Sequence, residues 1–241
     1  MLLLCFAMGN LHPRLKSGER NRNSLIEAVA GFPVDGIELT FATRYDLQST
    51  KLSRKSIDFL KSDHCKHVSL HAPFGKRSLG LRKNIKKIRR LYDKLELDFI
   101  ICHPYSFPEG STIKDMPLLL ENVPYVSFDE FQDVYEKQAN KGQCDGVCLD
   151  IGHAHLVSPE ELEKYFIAYK STIKEIHFNI SNGNTDHLLF KEASPEFLDS
   201  ISIIKSLDVP IIMETDFFDN TNEEIINEIN SIRNWLQSSG K

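Results

Sequence analysis

The sequence predicts an α/β protein, a (β/α)8 TIM barrel over residues 1–241 with the helix between its fourth and fifth strands missing. Three observations predict it. Short apolar runs alternate with amphipathic segments from end to end, which calls for parallel strands joined by helical crossovers. Eight such runs fit into 241 residues, and no linker or low-complexity stretch divides them, so one domain accounts for the chain. No GxGxxG follows the first run, which leaves an open dinucleotide-binding sheet without support.

The elements follow in order. The first run, "LLLCFAM" (2–8), lacks a basic start and is too short for an export signal, so it reads as a core strand. A long loop, "LHPRLKSGERNRNS" (11–24), carries Arg14, Lys16, Arg20 and Arg22 and leads to a helix over 23–31. "DGIELTF" (35–41) is the second strand and 51–63 the helix after it; "HVSLHA" (67–72) is the third strand. The helix over 81–96 lies in the only dense basic run, "GKRSLGLRKNIKKIRRLYDK" (75–94). Its Leu81, Ile85, Ile88 and Leu91 recur at helical spacing and turn inward; Lys83, Lys86, Lys87, Arg89 and Arg90 read as a solvated face. "DFIICH" (98–103) and "PLLLEN" (117–122) are the fourth and fifth strands. The stretch between them has prolines and no helical period, so a loop or a second subunit is expected to cover that wall. A helix over 127–140, the strand "GVCLDI" (146–151) and a helix over 158–170 come next, the last opened by Ser158-Pro159 as N-cap and first helical residue. "IKEIHFNI" (173–180), a helix over 194–206 opened by Ser194-Pro195, "VPIIMET" (209–215) and a helix over 222–238 complete the barrel. Glu223 and Glu224 sit in the first turn of that last helix, where the helix dipole favours acid.

Composition narrows the class. Apolar residues make up 41% and charged residues 26%, ordinary for a globular enzyme. A net charge of −5 gives no general attraction for nucleic acid, leaving only local basic patches for that role. The five cysteines are odd in number and form no CxxC, which argues for a reducing compartment; the expected location is the cytoplasm. No run approaches the roughly 20 apolar residues of a membrane span. There is no GxSxG elbow and no P-loop. A carboxylate pair for glycoside hydrolysis would not explain the histidines.

In a barrel the C-terminal strand ends meet at one mouth, where catalysis takes place. Seven of the eight strands carry a metal-ligand residue near that end: Glu38, His71, His103, Glu121, Asp150, His177 and Glu214. Carboxylates crowded in a dry mouth repel one another; a divalent cation removes that penalty and neutral imidazoles complete its coordination. Mixed nitrogen and oxygen donors favour zinc or manganese over calcium. His153 lies three residues beyond Asp150 in the following loop, and Asp186 and His187 follow the seventh strand, so these three suit a neighbouring site. His155 reads as a rim residue.

The fragments "GIELTF", "VSLHAPF", "FIICHPY", "LLLENVP", "CLDIGHAH", "IHFNISNGNTDHLL" and "IIMET" together resemble the xylose isomerase-like barrel superfamily over almost the full length. That group includes endonuclease IV and the sugar and sugar-phosphate isomerases and epimerases. The resemblance implies Glu121, Asp150, His177 and Glu214 as the shared ligands. In the isomerase reading Glu121 and Glu214 are also the acid/base pair, around a single metal such as manganese or magnesium, with His153 on a substrate hydroxyl. The endonuclease IV reading implies up to three zinc ions. Glu121 bridges two of them, His71 and His103 complete the first, Asp150, His177 and Glu214 the second, and His153, His187 and an aspartate the third. Metal-activated hydroxide then hydrolyses a phosphate ester, with Glu121 and Glu214 at the reacting centre. The retained His71 and His103 favour this second reading. A barrel that binds a metal or sugar without turnover is the third possibility. Three departures stand out. The family writes Asp-x-His where this chain has Thr185-Asp186-His187, a glycine-containing stretch is replaced by "LLFKEAS", and the fourth helix is missing. Lys76, Arg77 and Arg44 are the candidate contacts to a phosphate-containing substrate, either DNA or a small sugar phosphate. The uncovered wall suits a homo-oligomer.

Overall fold

A computed structural model describes residues 2–14, 21–75, 78–106 and 115–238. Eight strands form a closed parallel barrel in sequence order: β1 (Leu4–Ala7), β2 (Gly36–Thr40), β3 (His67–His71), β4 (Phe99–Cys102), β5 (Leu118–Glu121), β6 (Gly146–Asp150), β7 (Ile173–Phe178) and β8 (Ile211–Met213). β8 pairs back onto β1, so no sheet edge is left open. Alternation along each strand sorts the side chains. Ile37, Leu39, Val68, Leu70, Ile176 and Phe178 join the large core between barrel and helices. The inward residues form two small apolar clusters, Cys5-Ala7-Ile212 and Ile101-Leu119-Cys148. Glu38, Ser69, Glu175 and His177, none of them exposed, occupy the other interior positions. A TIM-barrel interior is ordinarily filled by branched aliphatic residues, so this polar band is unusual.

The helices are α1 (Arg22–Val29), α2 (Arg44–Ser49), α3 (Arg54–Leu60), α4 (Arg82–Leu95), α5 (Phe128–Ala139), α6 (Ile151–Val157), α7 (Pro159–Tyr169), α8 (Pro195–Ser200) and α9 (Asn222–Gln237). Their starts obey local chemistry. Ser158 and Ser194 cap α7 and α8 by accepting from the backbone N–H groups of Glu161 and Phe197, and Thr221 and Glu224 form a capping box on α9. On α4, Ile88 and Leu91 are buried and Lys83, Lys86 and Arg90 exposed, the division the periodicity predicts, whereas Ile85, Lys87 and Arg89 are half-buried and Lys87 donates to the Thr50 carbonyl. Leu81 departs from it: it is the N-cap of α4 and is exposed.

Three helical expectations need correction. The helix expected over 51–63 is confined to α3, and α2 precedes it. α2 is too short to show an apolar period, and its Thr43–Asp46 capping box is its only sequence signal. The helix expected over 194–206 ends as α8 at Ser200 and continues as a 3-10 turn. The segment after Asp150, expected as a loop, is α6. Between β4 and β5 the described residues hold only the 3-10 turn Pro104–Ser106; residues 107–114 lie outside them. No helix among the described residues is long and apolar enough to cross a membrane.

Candidate metal centre

The strand ends deliver their side chains into one cleft of about 740 Å³, lined by His71, His103, Glu121, His153, Asp186, His187 and Glu214 among others. The donor atoms fall into three adjoining groups, each within 4.8 Å: His71-His103-Glu121, Glu121-Asp150-His177-Glu214, and His153-Asp186-His187. Glu121 is shared by the first two, and its oxygens divide between them. Oε2 lies 2.7 Å from His71 Nε2 and 3.0 Å from His103 Nε2. Oε1 lies 3.1 Å from His177 Nδ1 and 3.7 Å from His153 Nδ1. One carboxylate thus faces two ligand sets, one oxygen to each.

Local structure orients each donor. Asp150 ends β6 and caps α6: its Oδ1 accepts from the His153 N–H at 2.7 Å. Asn179 donates through Nδ2 to both Asp150 oxygens at 2.8 Å, fixing the carboxylate plane. The Asn122 side chain clasps the Asp150 backbone, accepting its N–H and donating to its carbonyl, both at 2.8 Å. Gly152 makes room for this arrangement, because a Cβ there would stand 1.4 Å from Asn179 Oδ1. Asp186 and His187 are sequence neighbours, which an extended chain would point to opposite sides. His187 adopts a left-handed φ of 56°, and both side chains reach the cleft. Asp186 Oδ2 lies 3.6 Å from His153 Nε2 and 3.9 Å from His187 Nε2. It is therefore Asp186, not Thr185, that faces the cleft; Thr185 instead exchanges backbone and side-chain bonds with Asn182.

The outer ring nitrogens fix the tautomers. A carbonyl oxygen only accepts, so His71 Nδ1, 2.9 Å from the Ala72 carbonyl, carries a hydrogen. The same holds for His153 Nδ1, 3.0 Å from the Asn122 carbonyl. Each would then turn Nε2 to a cation in the cleft, which would replace the hydrogen that faces the carboxylates there. His103 Nδ1 bonds the Tyr105 hydroxyl at 2.5 Å, and that hydroxyl bonds Tyr125 at 2.6 Å. Inward lone pairs with outward hydrogen bonds are what metal-ligating imidazoles require. A tetrahedral zinc with ligand bonds of about 2.0–2.1 Å sets its donor atoms roughly 3.3 Å apart, compatible with all three groups. The residues therefore fit divalent cations.

The electrostatics agree. Burial pushes the Glu214 carboxyl up to about 7, with Glu38 and Glu121 adding to the rise. Burial also raises Asp150. Glu121 goes the other way: burial opposes its ionisation, but His177, His71 and His103 together hold it well below its ordinary value. Burial opposes histidine protonation and lowers His103, but the neighbouring carboxylates outweigh it at His71, His153, His177 and His187 and raise them, and cations entering the cleft would compete with the histidine protons.

Other expected residues fall outside this cluster. Glu38 lies inside the barrel, two residues before the end of β2, and Thr40 lines the cleft in its place. Arg44 opens α2, exposed to solvent and outside the cleft lining. Lys76, Arg77, Lys16 and Arg20 lie outside the described residues. His155 bonds Ser181 and packs edge-on against Phe197, as a rim residue does. Sequence reasoning missed Asn122, Asn179, Tyr105 and Glu175. "LEN" and "FNI" hold the two asparagines immediately after strands, a position that signals contact with a neighbouring strand end.

The chain has the fold of the xylose isomerase-like TIM barrels. Among solved structures it is similar to endonuclease IV from Thermus thermophilus, at 16% identity and a TM-score of 0.66, over 98% of this chain and 100% of that one. It is also similar to 3-keto-D-glucoside 4-epimerase from E. coli, at 9% identity and a TM-score of 0.65, over 99% and 100% of the two chains. A further Thermus thermophilus protein, soaked with zinc chloride, matches at 16% identity and a TM-score of 0.60, over 96% and 98%. No protein-family model matches the sequence, and no curated protein does.

Proposed function

We propose that the chain is a metal-dependent phosphodiesterase of the endonuclease IV type. The observation that carries this reading is the Glu121 carboxylate, turned with one oxygen to each of two donor groups while a third group adjoins them. A one-metal isomerase needs only Glu121, Asp150, His177 and Glu214. In that reading His153 holds a substrate hydroxyl, and His71, His103, Asp186 and His187 are not needed as ligands. Divalent cations in these groups would lower the pKa of water and offset the charge of a phosphate in flight.

The chain's own residues set the rest. His71, His103 and Glu121 would hold one ion; Glu121, Asp150, His177 and Glu214 a second; His153, Asp186 and His187 a third. Zinc suits these donors best. No lysine or arginine lines the cleft among the described residues, while Glu121, Asp186, Glu214 and Asp216 do. An anionic phosphate entering there would meet these carboxylates with no lysine or arginine among the described lining residues, and bound cations would offset that repulsion. Phe74 stacks on His103 with ring centroids 5.2 Å apart and, with Tyr125 and Phe218, gives the rim an apolar surface for a sugar or base.

Glu121 and Glu214 in one four-donor group also support a second reading, a sugar or sugar-phosphate isomerase or epimerase with these two as acid and base. One experiment separates the two. Zinc-loaded protein is incubated with a DNA duplex carrying one abasic site, and in parallel with ketoses and their phosphates in deuterium oxide. The phosphodiesterase reading expects strand incision that Glu121→Gln abolishes and no deuterium uptake. Uptake without incision, lost in Glu214→Gln, would replace it with the isomerase reading.

A further inference from the structure

Two carboxylates inside the barrel take no part in the mouth described above. Glu38 on β2 and Glu175 on β7 are wholly buried, as is His177 between them. Sealing two carboxylates in a barrel core carries a large desolvation penalty unless they are paired. Packing alone would favour aliphatic residues here.

Their surroundings show what they face. His177 Nε2 lies 3.0 Å from Glu38 Oε2 and 3.7 Å from Glu175 Oε1. None of these three atoms has a hydrogen-bond partner, so the nearest polar neighbours of the buried nitrogen are the two carboxylate oxygens and the Cys148 thiol. The other oxygens are held away from the imidazole: Glu38 Oε1 accepts from the Thr40 hydroxyl at 2.9 Å, and Glu175 Oε2 meets His67 Nε2 at 2.5 Å. His67 Nδ1 is in turn 3.2 Å from Asp98 Oδ2, at the opposite end of the barrel from the mouth. A nitrogen set between two carboxylate oxygens must carry a hydrogen. The same imidazole turns Nδ1 to the mouth, 3.1 Å from Glu121 and 3.5 Å from Glu214, so the hydrogen on that side is the one a cation at the mouth would replace.

We infer that Glu38 and Glu175 are positioning residues for the metal centre: they hold His177 as its Nε2–H tautomer and leave the Nδ1 lone pair for the ion, with His67 and Asp98 bracing Glu175 from below. The inference rests on the metal centre of the proposed function. It explains why His177 presents Nδ1 while His71 and His153 present Nε2: His177 is braced by carboxylates from beneath, the other two by backbone carbonyls at the rim.

The test uses the full chain and zinc alone. Zinc affinity is measured against a chromophoric chelator for wild type, Glu38→Gln and Glu175→Gln, with circular dichroism as the check on folding. In parallel, 15N-histidine NMR of the zinc-loaded wild type reads the His177 tautomer. The expected results are one zinc bound about 10- to 100-fold more weakly in each variant, an Nε2–H in the wild type, and an upfield shift of that proton when the acceptor becomes a neutral amide. Unchanged affinity in folded variants, or a protonated Nδ1, overturns the inference while leaving the metal centre standing. So does a cobalt form with a thiolate charge-transfer band, because Cys148, Glu175 and His177 would then be holding an ion inside the barrel. Wild type that binds no zinc overturns both readings. If the variants do not fold, the wild-type tautomer alone decides.

Discussion

At the residue scale the central group is Glu121, whose two oxygens face two groups of side chains that could hold cations. Glu121→Gln removes the charge that joins them. Zinc content is expected to fall by at least one ion per chain and incision by more than about 100-fold, since even an outer partner of a ligand is worth 10- to 100-fold; metal analysis and a cleavage assay check it. Gly152→Ala is predicted to cost roughly 1–3 kcal/mol, because its Cβ forces Asn179 off Asp150; an unchanged urea midpoint would contradict this. His67 supplies a pH dependence. Burial opposes its protonation, but hydrogen bonds to Asp98 and Glu175 outweigh that and lift it to about 9, above its ordinary value of 6.5. A raised histidine contributes stability that is complete below pH 6.5 and is lost as pH rises through 9, an effect of roughly 3 kcal/mol. The urea midpoint is expected to fall between pH 6.5 and 9.5, and to fall less in His67→Gln. The strand-end positions of His71, His103, Glu121, Asp150, His177 and Glu214 were legible in the sequence because the barrel rule converts chain position into place. Glu175 was not, because one more residue inside an alternating strand carries no sign of which layer it joins. Nor was the orientation of Asp186, which depends on the left-handed turn at His187.

At the element scale the long, strongly periodic or well-capped helices were readable, and the short ones were not. α4 shows the amphipathic period over its whole length, so its buried and charged faces could be assigned in advance. α6 could not: Asp150 ends β6 and caps the helix at once, with no turn residues between. That economy has a functional consequence, since the cap holds Asp150 and sends His153 back over the cleft. α4 yields a prediction in the opposite direction. Lys83 and Arg90 are exposed on a helix whose inner face is apolar. Reversing both charges is expected to leave incision within about twofold at 0.15 M salt, where exposed charges beyond about 8 Å are screened. A tenfold loss would assign this helix to the substrate.

At the scale of the whole molecule, barrel closure is what makes the site. Residues separated by more than a hundred positions, such as His71 and His177, lie beside one carboxylate because every strand ends at the same mouth. The barrel also hosts the opposite case, a polar band within its core. Fold class was readable from eight alternating runs. The number of ions was not, because His71 and His103 would serve equally as ligands or as substrate contacts. The most direct test is therefore a metal count on protein prepared without chelator and supplied with zinc. The account predicts two or three zinc ions per folded chain, with at least one lost in Glu121→Gln; a chain that folds and holds none would contradict it.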